Sequence, residues 1–415
     1  MRVRKMMTAA VGLTAMSLLA GCAGGSDGEG GAEGGEQKIT VWLYPVIADE
    51  ASHKAFWDET IAAFEKENDG ITVDYEIFPW ANRDEGLQTA IAANKGPDLV
   101  YLIPDQLTAY EKSIEPLDDY LSEERVAELL PNVRESVTLE PGIMGAPMLT
   151  SAMTLICNAA AFEAAGLSEF PETWDDVREM APAFVDAGMH IFSYPASAEN
   201  TLNMTFYPLL WQAGGTVYDD AGALSFAGDE GVEALTFLSE LAAMGALEPT
   251  ALTTMQPIEQ TPLARGSVGC TWTNSVLEVE PFWGEENVTV LPPLTDEDTV
   301  AYGTVGSLSM LKGSKAKEAA GAFAEFATSA DVMKPYLLEA GFYSPLVSTE
   351  PLNDPDTLLG QVEQYVPTTT VGELATSSRA IMGVLSPEIQ AALMGTKSPE
   401  EALEAAHTAA QPLLK

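Results

Sequence analysis

Between Lys38 and Ile103 the apolar residues change period repeatedly, and few folds satisfy such a pattern. Lys38-Ile39-Thr40-Val41-Trp42-Leu43 reads as a strand. Trp57, Ile61 and Phe64 then recur at i, i+4 and i+7, the spacing of one helix face, before Asp69-Gly70. Ile71, Val73, Tyr75 and Ile77 alternate with Thr72, Asp74 and Glu76, as in a strand with one buried face. Leu87, Ala90 and Ile91 mark a second helix. Gly96-Pro97 breaks the chain ahead of Asp98-Leu99-Val100-Tyr101-Leu102-Ile103, an apolar run suited to a buried parallel strand. Strand, helix, strand, helix, strand is an α/β layer with crossover helices.

A second α/β set follows. Met153 to Cys157, Ile191 to Tyr194, Val268 to Trp272 and Val288 to Leu291 read as strands. Thr173 with Asp176 forms a capping box for a helix whose apolar face is Val177, Met180, Ala181, Phe184 and Val185. Val232, Leu235 and Leu238 mark another helix, ending near Gly245. The C-terminal third is helical, with one helix over Ala319 to Ala327. Others are expected to open at Ser386-Pro387-Glu388 and Ser398-Pro399-Glu400-Glu401. A chain of 415 residues exceeds one ordinary hydrophobic core, so two domains are expected.

The first residues address the chain outward. Arg2, Arg4 and Lys5 precede an apolar run from Thr8 to Ala20, shorter than the roughly 20 residues that span a bilayer. The run ends in Leu19-Ala20-Gly21-Cys22, which resembles the bacterial lipobox, in which cleavage leaves the cysteine N-terminal and diacylated. Residues 1–21 are therefore read as a lipoprotein signal peptide and Cys22 as the lipidation site. Two acyl chains anchor stably where one is marginal. Residues 22–37 are Gly-rich and acidic and read as a tether. The chain carries 20 Lys and Arg against 62 Asp and Glu, a formal net charge of −42. Such a surface repels nucleic acid and anionic lipid, which need cationic neutralisation. Cys157 and Cys270 remain after Cys22. The outer compartment permits a disulfide, but two cysteines without a motif are expected as buried free thiols.

Catalytic signatures are missing. His53, His190 and His407 have no metal-ligand spacing, and no metal or cofactor is implied. There is no His-Glu-x-x-His, no Gly-x-Ser-x-Gly and no phosphate-cradling glycine loop. Aromatic residues at strand ends and turns are the informative ones. Trp42 and Tyr44 end the first strand, Trp80 follows the second, and Asp105 and Gln106 follow the third. Trp211 precedes Gly214-Gly215, Trp272 lies near Asn274, and Tyr343 follows Gly341-Phe342. Ligands of open α/β sheets bind beyond the carboxyl ends of the strands. A sugar needs an aromatic face for its C–H face and Asp, Asn or Gln for its hydroxyls.

The order and spacing of these segments resemble the extracellular (family 1) solute-binding proteins, the group that includes maltose-binding proteins. Ile39-Thr40-Val41-Trp42, Phe64-Glu65-Lys66-Glu67 with Ile71-Thr72-Val73, and Gly96-Pro97-Asp98-Leu99-Val100 resemble the family's opening strands and helix. Gly145-Ala146-Pro147 and Leu155-Ile156-Cys157-Asn158 resemble the first lobe crossing and the strand after it. Ala165-Gly166-Leu167 and Phe170-Pro171-Glu172-Thr173-Trp174-Asp175 are the most specific stretch. Trp211-Gln212-Ala213-Gly214-Gly215 and Gly341-Phe342-Tyr343-Ser344-Pro345 are also family-like. The chain departs from the family at Gln106, which is basic in some relatives, at Cys157-Asn158 for a usual Tyr-Asn, and at Leu346 for a usual Arg.

The resemblance implies a periplasmic-binding-protein-like α/β fold: two lobes, each a sheet with flanking helices, joined by several crossings and closing on ligand. Lobe one is expected at 38–148 with 290–330, and lobe two at 149–289 with 331–415. The crossings are expected near Pro147–Ser151, Val288–Leu291 and Ser329–Met333. The expected ligand is a mono- or oligosaccharide, held by residues from Trp42, Tyr44, Trp80, Asp105, Gln106, Ser151, Trp211, Trp272, Asn274 and Tyr343. The expected partners are the membrane subunits of an ABC importer, with the chain a monomer on the outer face of the membrane. The rival readings are an extracellular carbohydrate-active enzyme and a receptor domain presenting ligand to a sensor.

Overall fold

The computed structural model describes residues 37–80, 83–197, 201–347 and 351–414. The leader, Cys22 and the tether up to residue 36 lie outside them. Twelve strands are named among the described residues. They run β1 (Gln37–Leu43), β2 (Ile71–Ile77), β3 (Leu99–Leu102), β4 (Ile114–Glu115), β5 (Thr138–Leu139) and β6 (Gly142–Ile143). Then follow β7 (Ala146–Thr150), β8 (Leu155–Asn158), β9 (His190–Phe192), β10 (Val268–Thr271), β11 (Val288–Leu291) and β12 (Val305–Leu311).

The first sheet has the order β2-β1-β3-β12-β4, with β7 also paired to β12. β1 runs parallel to β2 and β3, as its crossover helices require. Ile39, Val41 and Leu43 point into the core, so the alternation of β1 becomes one buried face. The helix Glu50–Glu67 starts where the Asp49 carboxylate accepts the Ser52 N–H at 2.8 Å. Its Trp57, Ile61 and Phe64 are buried against the sheet. Asp98, just past Gly96-Pro97, ties three segments together. One carboxylate oxygen accepts the Thr40 N–H at 2.8 Å and the Thr40 hydroxyl at 3.0 Å. The other accepts the Ser314 hydroxyl at 2.6 Å. β12 arrives from the far end of the chain and lies antiparallel to β3, β4 and β7.

The second sheet has the order β11-β8-β10-β9. The helix Trp174–Asp186 is capped as expected. The Thr173 hydroxyl accepts the Asp176 N–H at 3.1 Å, and the Asp176 carboxylate accepts the Thr173 N–H at 2.8 Å. Trp174 stacks on Phe237 with centroids 4.5 Å apart and donates to Gln212 at 2.9 Å.

Three expectations are corrected. Cys157 and Cys270 are not free thiols: they face each other across β8 and β10 and form a disulfide. They stand 113 residues apart, so only the strand pairing reveals them as neighbours. Ser386-Pro387 does not open a helix, because Pro387 lies inside the helix Ser378–Leu393. Ile381, Leu385 and Ile389 bury one face of that helix in the second core, and this packing outweighs the interior proline. Nor does the chain cross near Ser329–Met333. The helix Ala330–Ala340 sends Met333, Tyr336 and Leu337 into the first core, where Tyr336 lies 4.6 Å from the Phe56 ring. The chain therefore stays with the first sheet through Leu346, past the boundary expected at residue 330. The first crossing lies between β7 and β8, and the second between β11 and β12, after Val288–Leu291, which pair with β8 as strand β11 of the second sheet and so carry that lobe past residue 290.

Candidate binding cleft

Asp105 stands near the start of the helix Pro104–Tyr110, directly after β3, and is 2 % exposed. Its Oδ2 accepts from Nη1 of Arg379 at 2.9 Å. Arg379 belongs to the helix Ser378–Leu393 of the second core. Its other terminal nitrogen pairs with Asp84, on the helix Arg83–Ala92. Gln106 accepts the Ile103 N–H and donates its own amide to Asp84 Oδ1 at 2.7 Å. Burial acts to raise the Asp84 carboxyl, but Arg379 and Gln106 outweigh it and hold the group below its ordinary range. Burial would likewise lower Arg379, yet Asp105 and Asp84 raise it. The Thr108 hydroxyl adds a second tie between the lobes, donating to the Ala375 carbonyl at 3.0 Å.

Beside this bridge lies a cavity of about 10 Å³, room for about one water. Its walls include Asp105, Asn203, Tyr207, Trp211, Glu373 and Ser378. Asp105 Oδ1, the Tyr207 hydroxyl and Trp211 Nε1 are buried with no hydrogen-bond partner among the described residues. Burial of a polar atom without a partner is unfavourable by about 1–3 kcal/mol, so three around one cavity mark a place built for a polar occupant. Burial comes first among the causes that raise the Tyr207 hydroxyl, with Tyr218, Glu373 and Asp105 adding to it. The Tyr302 hydroxyl is pushed up to about 12 by burial and then by the Asp105 charge.

The other residues expected at the site fall in several places. Tyr44 stacks on Trp80 at 5.1 Å, and the Arg83 guanidinium lies 4.9 Å from the Trp80 ring. Trp80 is 39 % exposed and donates to the Pro45 carbonyl at 2.9 Å, so its ring forms an aromatic shelf at the surface of the first lobe, with the buried Tyr44 packed beneath it. Trp42, half-buried on the opposite face of β1 from Val41 and Leu43, packs against Phe78 at 4.4 Å. Ser151 is paired with Thr304 in the first crossing, its hydroxyl accepting the Thr304 N–H at 3.1 Å. Tyr343 exchanges backbone hydrogen bonds with Thr150 and is buried in a third core with Ile156 and Val362. Trp272 packs edge-on against Phe192 at 5.0 Å and borders a separate small cavity with Leu209 and Leu294. Asn274 accepts from the Thr271 hydroxyl at 3.0 Å. Only Asp105 and Trp211 of the expected set line the cavity beside Arg379, with Gln106 one bond behind.

Sequence reasoning missed Asp84, Asn203, Tyr207, Glu373 and Arg379. Arg379 carried no usable signal: a cation beside apolar positions on a helix reads as a solvated charge. Among the described residues, no group of three or more His, Cys, Asp or Glu side chains is disposed to hold a metal ion. No helix among them is long and apolar enough to cross a membrane.

Known proteins share this architecture. An ABC substrate-binding protein from Listeria monocytogenes, solved in complex with cycloalternan, superposes with a TM-score of 0.78 at 20% identity. The alignment covers 91% of this chain and 98% of that one. A binding protein of Brucella abortus (strain 2308) is 24% identical over 397 residues, covering 92% of this chain and 94% of the relative. The maltotriose-binding protein of Pyrococcus abyssi is 25% identical over 346 residues, 78% of this chain and 70% of the relative. Residues 48–334 match the family of bacterial extracellular solute-binding proteins. That match spans more than half of the chain, and the protein belongs to this family of two-lobed, ligand-binding extracellular proteins.

Proposed function

We propose that this chain captures a carbohydrate in the cleft between its lobes and delivers it to an ABC importer, while held at the outer face of the membrane by an acylated Cys22. The observation that carries the reading is the cavity wall, where Asp105 Oδ1, the Tyr207 hydroxyl and Trp211 Nε1 are buried without partners beside an indole face. A sugar offers donors to the carboxylate, acceptors to the hydroxyl and indole N–H, and a C–H face to the ring. In this reading Asp105 and Trp211 touch the sugar from opposite lobes. Gln106 positions Asp84, and the Tyr44–Trp80 shelf extends the site for a longer saccharide. Trp42, Ser151 and Tyr343 support the cleft from behind, and Trp272 and Asn274 hold the far wall of the second lobe. The maltotriose-binding relative and the cycloalternan complex support an oligosaccharide as the class.

A thermal-shift screen followed by calorimetry tests this directly, with maltose, maltotriose, laminaribiose and tagatose against amino acids as controls. A ligand that binds only the native state raises the melting temperature. Stabilisation by at least one sugar, with that sugar recovered unchanged, is the expected result. Stabilisation by amino acids alone overturns the substrate class, and cleavage of the oligosaccharides overturns the binding role.

A further inference from the structure

We propose that Arg379 is an intramolecular competitor of the solute: it locks the ligand-free lobes together through Asp84 and Asp105 and must be displaced before the cleft can fill. This rests on the cleft being the binding site.

The bridge joins the two lobes. Asp105 and Asp84 belong to helices of the first lobe, and Asp84 is pinned there by the Gln106 amide at 2.7 Å. Arg379 is fixed to the second by its own helix, where Ile381, Leu385 and Ile389 are buried. The guanidinium cannot follow the carboxylates if the lobes part, because its backbone is anchored in the other core. A forked guanidinium across two carboxylates is also among the stronger side-chain pairings, and here Asp105 is 2 % exposed.

Space decides between cooperation and competition. With the bridge formed, the cavity against Asp105, Tyr207 and Trp211 has about 10 Å³, enough for about one water and too little for a sugar ring. A monosaccharide therefore enters only when the lobes separate, and separation pulls Arg379 from Asp105. Solute hydroxyls then donate to Asp105 Oδ1, already without a partner among the described residues, and to the Oδ2 that the guanidinium has left. The lobes close over the sugar in a wider arrangement than the bridged one. Arg379 thus sets the population of the binding-competent state, and apparent affinity scales with that population.

The test pairs ligand-free small-angle scattering with calorimetry on the folded chain, using wild type, Arg379→Gln and Asp84→Asn. Without the bridge, Arg379→Gln should show a larger radius of gyration than wild type before any sugar is added, with Asp84→Asn between them. With maltotriose as probe, Arg379→Gln should bind at least about threefold more tightly than wild type and contract on saturation. Identical ligand-free scattering of wild type and Arg379→Gln, both folded by circular dichroism, overturns the lock. Loss of maltotriose binding in Arg379→Gln also overturns it, since Arg379 would then be a contact of the sugar. If no sugar binds any variant, the carbohydrate reading fails, while the ligand-free scattering still decides whether the bridge closes the lobes. Should Arg379→Gln fail to fold, Asp84→Asn, which leaves Arg379 in place, carries the same comparison.

Discussion

Gly372 lies against the edge of the Trp211 indole: a Cβ placed on it would fall 2.2 Å from Cζ2 of that ring. Its φ of +73° is also one that side chains rarely adopt. Gly372→Ala therefore meets two obstacles at once and pushes the indole away from the cavity. We expect a stability loss of about 1–3 kcal/mol by chemical denaturation. Sugar affinity should fall with it, and unchanged affinity would mean that the ring position does not matter to binding.

Trp211→Ala removes the ring outright, and Asp105→Ala removes the buried carboxylate. Each should weaken binding of the identified sugar by about 1–3 kcal/mol, measured by calorimetry. Asp105→Ala also loosens one arm of the Arg379 bridge, but Asp84 keeps hold of the guanidinium, so the lost contact dominates. Wild-type affinity in both variants would remove these residues from the site.

The Cys157–Cys270 disulfide joins neighbouring strands across 113 residues of sequence. Cross-links that close long loops restrict the unfolded chain most, and removing one typically destabilises a protein by about 2–5 kcal/mol. A Cys157→Ala, Cys270→Ala double variant should show this loss in denaturant midpoint and should no longer respond to reductant. Wild-type stability in the double variant would count against the bond as a structural element.

His53 gives a pH dependence with a definite sign. It is buried beside Trp57 and Tyr336, and its Nδ1 accepts the Ile47 N–H at 3.4 Å. Burial lowers its pKa below the ordinary 6.5. As pH falls through about 6.5, the unfolded chain takes up a proton that the folded chain refuses, so stability falls toward the lower folded value. Stability between pH 7 and pH 5.5 should decline less steeply in His53→Phe than in wild type. Equal slopes would show that His53 does not titrate differently in the two states.

Cys22→Ser tests the anchor. If Cys22 is acylated as proposed, the variant should leave the membrane fraction or remain unprocessed, because the acylated residue is also the one that directs cleavage. Unchanged membrane retention, with an unchanged mature N-terminus by mass spectrometry, would place the attachment elsewhere.

The parts of the fold that were legible in the sequence are those written locally. Thr173 with Asp176, and Ser398 with Glu401, each form their capping box within three residues. The place of Asp105 on the cavity wall was legible because a polar residue after a parallel strand sits at the carboxyl edge of an α/β sheet. Trp211 was found by its residue type and the glycines after it. Arg379 was not legible, since its partner Asp105 is 274 residues away and a lone Arg on a helix reads as a solvated charge. The disulfide was hidden for the same reason. Pro387 misled because a local start signal lost to tertiary packing of the helix around it.

β12 sits between β3 and β4 yet is made after the whole first passage through the second lobe. Ser307 pairs with Leu102, and Leu311 with Ile114. During synthesis the opening strands therefore emerge without the neighbour that completes their sheet, and β3 keeps an open edge until residue 311 appears. Such long-range closure makes folding slow, because distant segments must meet before their contacts reward the loss of chain freedom. The first sheet therefore cannot be completed until β12 has been made, whatever the second lobe has done by then.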